Sequence, residues 1–157
     1  MLLILWHSRT GAAQQMAHAA WKGAGGAARL LLAPKAEPTD LLAASGYLFV
    51  CPENLATMSG AMKEMFDRCY YPLLGAIEGR AYATAIAAGS DGRGAQAQID
   101  RIATGWRLRR VADPVIVNLE AQTPAEILAP KHVAAPDLAR CSELGAALAE
   151  GFASGIF

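Results

Sequence analysis

The sequence predicts one doubly wound α/β domain over residues 1–157, with α/β/α layering around a five-stranded parallel sheet. Three observations predict it. Five short apolar runs alternate with stretches of helical periodicity, each run is too continuously apolar to face water, and no linker or repeat breaks the alternation. Strands covered on both faces read as unbroken hydrophobic runs, and the intervening helices are the crossovers that parallel pairing requires. The length is that of a single domain with one well-filled core.

Leu2 to Trp6 is the first continuous apolar run and the first strand. A helix follows in which Ala13, Met16, Ala17, Ala20 and Trp21 share one face and Gln14, Gln15, His18 and Lys22 the other, with Gly23 as its stop. Arg29 to Ala33 is the second strand, and Asp40 to Ser45 can supply only a short helical crossover. Tyr47 to Cys51 is the third strand, ended by Pro52. Met62, Met65, Phe66 and Cys69 then recur at i, i+3, i+4 and i+7, with Lys63–Asp67 and Glu64–Arg68 as i,i+4 ion pairs opposite and Ser59 as N-cap. Ala81 to Ala88 is a fourth strand of small residues. Ala95, Ile99, Ile102, Ala103 and Trp106 mark the next helix, and Val115 to Val117 the fifth strand. An irregular stretch from Asn118 to Ala135 leads to a last helix striped by Leu138, Cys141, Gly145, Leu148 and Phe152.

Composition narrows the function classes. Fourteen basic and fourteen acidic residues balance to zero, which removes the field a nucleic-acid binder needs. Hydrophobic residues at 54% against 18% charged exclude intrinsic disorder. No apolar run nears the roughly 20 residues of a membrane span, and the apolar start lacks the basic flank of a signal peptide. Three cysteines (Cys51, Cys69, Cys141) form no CxxC pair, so neither a disulfide framework nor a zinc site is expected and a reducing cytoplasm fits. His7, His18 and His132 are too scattered for a metal cluster, and no metal ligand set is expected.

In a doubly wound sheet, ligands bind beyond the carboxyl ends of the strands, so the turns there carry the chemistry. The first is His7-Ser8-Arg9-Thr10-Gly11-Ala12-Ala13, joining a buried strand directly to a helix N-terminus. Free backbone N–H groups and the positive helix end converge there, Ser8 and Thr10 add hydroxyls, Gly11 permits close approach, and Arg9 adds charge at the rim: a phosphate cradle. The same residues also fit a plain N-cap with Thr10 as the capping side chain. The turn from Pro52 through Glu53, Asn54 and Leu55 to Gly60 is long for a βα connection, as functional loops are, although an ordinary surface loop has the same look. The turn Gly89-Ser90-Asp91-Gly92-Arg93-Gly94 has three glycines in six residues, which let backbone lie flat against a planar ligand or simply make a flexible turn capped by Ser90 or Asp91. Each is weak alone; three at one sheet edge are not.

Other patterns lead away from chemistry. Gly23 to Ala28 fits GxGxxA but closes a helix instead of opening one, so it is not a dinucleotide fingerprint. No GK[ST] occurs, and no carboxylate precedes Glu37, which excludes a magnesium-binding receiver domain. Glu53 reads as a solvated loop carboxylate, Trp106 to Arg110 as a helix-to-strand connection, His18 as a surface residue and Cys51 as a core filler.

At this point the residues carry a resemblance. Ser8-Arg9-Thr10-Gly11 after an apolar strand resembles the phosphate loop of the flavodoxin-like fold. Pro52-Glu53-Asn54-Leu55, with Met58-Ser59-Gly60-Ala61-Met62-Lys63 and Phe66-Asp67-Arg68, is similar to the second flavin loop and following helix of NAD(P)H-dependent FMN reductases and NAD(P)H:quinone oxidoreductases. Gly89 to Gly94 resembles that family's third flavin loop. The resemblance runs from the start to about Val117 and implies a flavodoxin-like sheet order of 2-1-3-4-5. It implies that Ser8, Arg9, Thr10, Gly11, Ala12 and Ala13 hold the phosphate of FMN, that Pro52 to Leu55 meet the isoalloxazine edge, and that Gly89, Ser90, Asp91, Gly92 and Gly94 lie along its pyrimidine side.

Two departures stand out. Ala13 replaces a hydroxyl residue common at the end of the phosphate loop, and neither flavin loop has an aromatic residue to stack on the ring. An open ring face suits a second substrate, so the expected activity is reduction of a quinone or free flavin by NAD(P)H through FMN, with no side chain as general acid or base. A flavodoxin-type single-electron carrier and a cofactor-less interaction module on the same fold are the alternatives. The expected partners are a small-molecule electron acceptor and, from Tyr70-Tyr71-Pro72 beside the site, a second copy of the chain in a homo-oligomer, with neither nucleic acid nor membrane.

Overall fold

The apolar run at the start of the chain forms β1 (Leu2–Trp6) in the computed structural model, which describes residues 1–157. Its alternate side chains enter opposite layers: Leu2 and Ile4 pack with one core cluster, Leu3 and Leu5 with the other. After α1 (Ala12–Gly23) come β2 (Ala28–Leu32), α2 (Pro38–Ala43), β3 (Gly46–Asn54), β4 (Thr57–Met58) and α3 (Gly60–Tyr70). The second half runs β5 (Ala81–Ala88), α4 (Arg93–Gly105), β6 (Arg109–Arg110), β7 (Val115–Asn118), α5 (Pro124–Leu128) and α6 (Ala135–Ala153).

The parallel sheet has the order β2-β1-β3-β5, and its last edge is shared by two segments: β6 pairs with Ala81 and Tyr82, β7 with Ala85 to Ala88. The architecture is the flavodoxin-like α/β/α sandwich with the expected order, its fifth strand broken in two. Helices α2, α3 and α4 cover one face over Tyr47, Phe49, Phe66 and Trp106. Helices α1 and α6 cover the other over Ile4, Leu48 and the alanines 83, 85 and 87. Those alanines leave room for helix backbones close to the sheet. On the opposite face of β5 the buried Thr84 hydroxyl bonds Gln96 of α4, whose amide reaches Asp100 at 3.0 Å and so leads the polarity out to Arg110.

Helices α1 and α6 meet nearly backbone to backbone. A Cβ on Gly23 would overlap the Ser142 carbonyl, and one on Gly145 the Ala20 carbonyl. Each helix contributes a glycine to the other's approach.

Several sequence expectations need correction. Pro52 does not end the third strand. β1 accompanies β3 only as far as Val50, so a missing N–H further on deprives no strand on that side, and β3 continues to Asn54. Trp21 is not part of the buried face of α1; it is 40% exposed, with its indole N–H donating to the Ala28 carbonyl at 3.2 Å. Ser59 occupies the N-cap position of α3 without capping it, because its hydroxyl faces His7. The two ion pairs expected on α3 are present, Lys63–Asp67 at 2.6 Å and Arg68–Glu64 at 2.9 Å.

Candidate functional site

The turns after β1, β3 and β5 converge on one cavity of about 550 Å³ at the carboxyl edge of the sheet, a volume ordinary for a small-molecule site. Ser8, Arg9, Thr10, Ala12 and Ala13 form one end, Pro52, Glu53, Asn54 and Leu55 a side, and Gly89 with Ser90 another. Four of the residues singled out from sequence do not line it: Gly11, Asp91, Gly92 and Gly94 shape the turns from behind.

At the first turn, the backbone N–H groups of Arg9, Thr10, Ala12 and Ala13 have no acceptor within the chain, although Ala12 and Ala13 are buried. Gly11, in the left-handed region at φ 94°, is the N-cap residue and gives its N–H to the Ser8 hydroxyl at 3.1 Å. Thr10 is therefore not the cap, and its hydroxyl makes no bond within the chain. Four unsatisfied donors on the positive end of a twelve-residue helix, with the Arg9 guanidinium at the rim, have the geometry and charge that suit an anion. Ala13 adds a backbone donor but no hydroxyl.

The second turn is a hairpin, not an open βα loop. Glu53 and Asn54 pair antiparallel with Met58 and Thr57, and Leu55 and Ala56 at the tip both have positive φ, 53° and 61°, the sign a type I′ turn demands. Glu53 is half-buried and paired, not a free loop carboxylate. Its carboxylate accepts from the N–H groups of Gly92 at 2.8 Å and Ala95 at 3.0 Å, capping α4 from a neighbouring loop.

The glycines of the third turn serve the protein more than a ligand. A Cβ on Gly94 would overlap the Ala56 carbonyl and one on Gly92 would press on Ile116. Asp91 turns outward to Arg93 at 2.6 Å. Ser90 and Gly89 remain at the cavity with N–H groups that find no acceptor in the chain.

A fourth wall comes from the stretch that looked irregular in sequence. Leu119, Ala121, Ile127, Leu128 and Lys131 all line the cavity. The segment is tied at one end by Leu119 N–H to the Ala88 carbonyl (2.7 Å) and Ala121 N–H to Gly89 (2.9 Å), at the other by Lys131 N–H to Thr10 (2.8 Å). Gln15 adds a clamp, donating to the Lys131 carbonyl at 2.8 Å and accepting from Val133 N–H at 3.1 Å. One signal was available: Thr123-Pro124-Ala125-Glu126 is a capping-box pattern with proline at N1, and both reciprocal bonds form.

Two titratable groups beside the site are shifted. Burial, then the neighbouring Arg9, hold the His7 imidazole below its ordinary pKa, and its Nδ1 lies 2.9 Å from Ser59 Oγ. Burial pushes the Cys51 thiol up to about 12, so it is inert.

Solved structures share this fold. A flavodoxin from the domain Archaea superposes with TM-score 0.75 at 15% identity over 95% of this chain and 96% of its own. The flavodoxin of Megasphaera elsdenii, in its two-electron reduced form, gives 0.71 at 18% identity over 96% and 99%. A WrbA-like flavodoxin from Agrobacterium tumefaciens gives 0.67 at 18% over 95% and 94%. No curated protein sequence matches the chain. The family model described as NADPH-dependent FMN reductase matches residues 38–122, more than half of the chain, from the crossover before β3 through the second and third turns to the start of the fourth wall. The chain belongs to the NADPH-dependent FMN reductase family.

Proposed function

We propose that this protein binds FMN and passes electrons from NAD(P)H through it to a quinone or a free flavin. The observation that carries the proposal is the set of four acceptor-less N–H groups, from Arg9, Thr10, Ala12 and Ala13, at one end of a cavity whose other walls are largely apolar. FMN, when bound, supplies hydride acceptance and electron delivery.

The chain's own part is binding and orientation. Arg9, Thr10, Ala12 and Ala13 donate backbone N–H bonds to the phosphate, Ser8 and Thr10 add hydroxyls, and Arg9 adds charge. Pro52 to Leu55 and Gly89 to Ser90 would frame the heterocycle, with the acceptor-less N–H groups of Gly89 and Ser90 available to it, while Ala87, Ala88 and Leu119 would shield it from water. Glu53 is committed to α4, so no side chain is placed to move a proton. Ala13 supplies no hydroxyl, which removes one bond to the phosphate and weakens its hold.

The test is FMN titration followed by fluorescence anisotropy, then anaerobic addition of NADPH. Saturable one-to-one binding and loss of oxidised-flavin absorbance in a single stoichiometric step, with turnover on added quinone or free flavin, are expected. No saturable binding, or no NADPH oxidation with any of several quinones and flavins, overturns the proposal. Reduction in separate one-electron steps favours the carrier on the same fold.

A further inference from the structure

The fourth wall has an odd construction. No residue of α5 is buried, and Leu128 and Ile127 are 72% and 52% exposed although they line the cavity mouth. Polar ties, not burial, hold the segment in place. The Thr123–Glu126 capping box fixes its start, with Glu126 Oε2 accepting from Gln122 and Thr123 N–H at 3.0 and 2.9 Å. Its end is gathered by Lys131, whose ammonium donates to the carbonyls of Glu126, Ile127 and Ala129 at 2.6, 3.0 and 2.7 Å. Both ends are bonded to cavity turns, and Gly89 leaves the space into which Ala121 fits. Leu55, at the hairpin tip and in the same cavity lining, is 98% exposed on a backbone held at positive φ.

Large apolar side chains held at a mouth by polar scaffolding, with nothing in the chain to bury them, mark a surface completed by a ligand. The anion-suited donors gather at the Ser8–Ala13 end of the cavity, so the rest of the lining is left for the apolar remainder of an anionic ligand. We infer that Ile127 and Leu128 of the 122–131 strap, together with Leu55, clamp the isoalloxazine ring, so that an aliphatic grip from the segment after the last strand replaces ring-stacking aromatics on the two flavin loops. The inference rests on the FMN reading above. It assigns to residues outside the three turns a share of ring affinity and control over how much of the ring a second substrate can reach.

The grip acts on the ring and the cradle on the phosphate, so the two separate by ligand. FMN and riboflavin are titrated, by anisotropy, into the wild type, the Ile127→Ser/Leu128→Ser double variant and Thr10→Val. The double variant alters only exposed side chains and keeps the wild-type circular dichroism and melting profile. It is expected to weaken FMN and riboflavin by the same factor, about tenfold, whereas Thr10→Val weakens FMN alone. Unchanged affinities in the double variant, or a loss confined to FMN, overturn the grip while leaving the cofactor reading intact. A wild type that binds riboflavin and FMN at no concentration overturns both.

Discussion

The Glu53 carboxylate sits on the N-terminus of α4, its Oε1 accepting from the Gly92 N–H at 2.8 Å. One side chain thereby fastens the second turn of the site to the third, and a helix end receives its anion from another element. Glu53→Ala leaves the Gly92 and Ala95 donors unsatisfied and is expected to cost about 1–2 kcal/mol in urea denaturation. Glu53→Gln keeps an acceptor but loses the charge, and falls between the two.

The same junction is closed by shape. Gly94→Ala drives a methyl group into the Ala56 carbonyl and is expected to cost roughly 1–3 kcal/mol, with a weakened FMN affinity because the hairpin must move. Gly26→Ala, where nothing lies near, stays within about 0.5 kcal/mol. Equal melting temperatures for the two variants would remove the steric argument.

The hairpin tip stores strain that the fold does not need. Leu55 and Ala56 hold positive φ without being glycine or asparagine, which costs about 1 kcal/mol or more per residue. Ala56→Gly is expected to stabilise the protein by about 0.5–1 kcal/mol once the greater freedom of unfolded glycine is counted. A loss of stability on thermal denaturation would show that the tip is relaxed.

His7 sets a pH dependence whose sign follows from linkage. Its folded pKa is below the unfolded value near 6.5, so between the two the unfolded chain binds more protons and stability falls as pH falls. The loss begins near 6.5 and is complete below the folded value; above pH 7.5 the group contributes none. Urea midpoints at pH 7.5 and 5.5 are expected to differ more in the wild type than in His7→Asn.

Bound FMN is expected to keep much of its fluorescence while its anisotropy rises. No tryptophan, tyrosine or phenylalanine lines the cavity, so no aromatic donor rests against the ring. Strong quenching on binding would show that an aromatic residue, Trp6 being next to the first turn, swings onto it.

The strands were legible because burial on both faces leaves no room for polar residues, and Leu2–Trp6 and Ala81–Ala88 have the observed bounds. The three turns were legible because helix N-termini beyond strand ends are anion sites by geometry. What sequence hid was tertiary in origin. Pro52 reads as a terminator until the shorter reach of β1 is known, and Ser59 and Thr10 read as caps until His7 and Gly11 are seen beside them. Glu53 looked solvated because its two donors lie about forty positions away. Ile127 and Leu128 sit in a helix too short for periodicity, so only the Thr123–Glu126 pair announced that the stretch is ordered.

The mutual fit of Gly23 and Gly145 bears on how the cradle is held in place. The helix that carries the cradle packs on the sheet and against α6, whose Gly145 lies more than a hundred positions further along the chain. A methyl group at either glycine would wedge the two helices apart and so tilt the donors of the cradle away from their common focus.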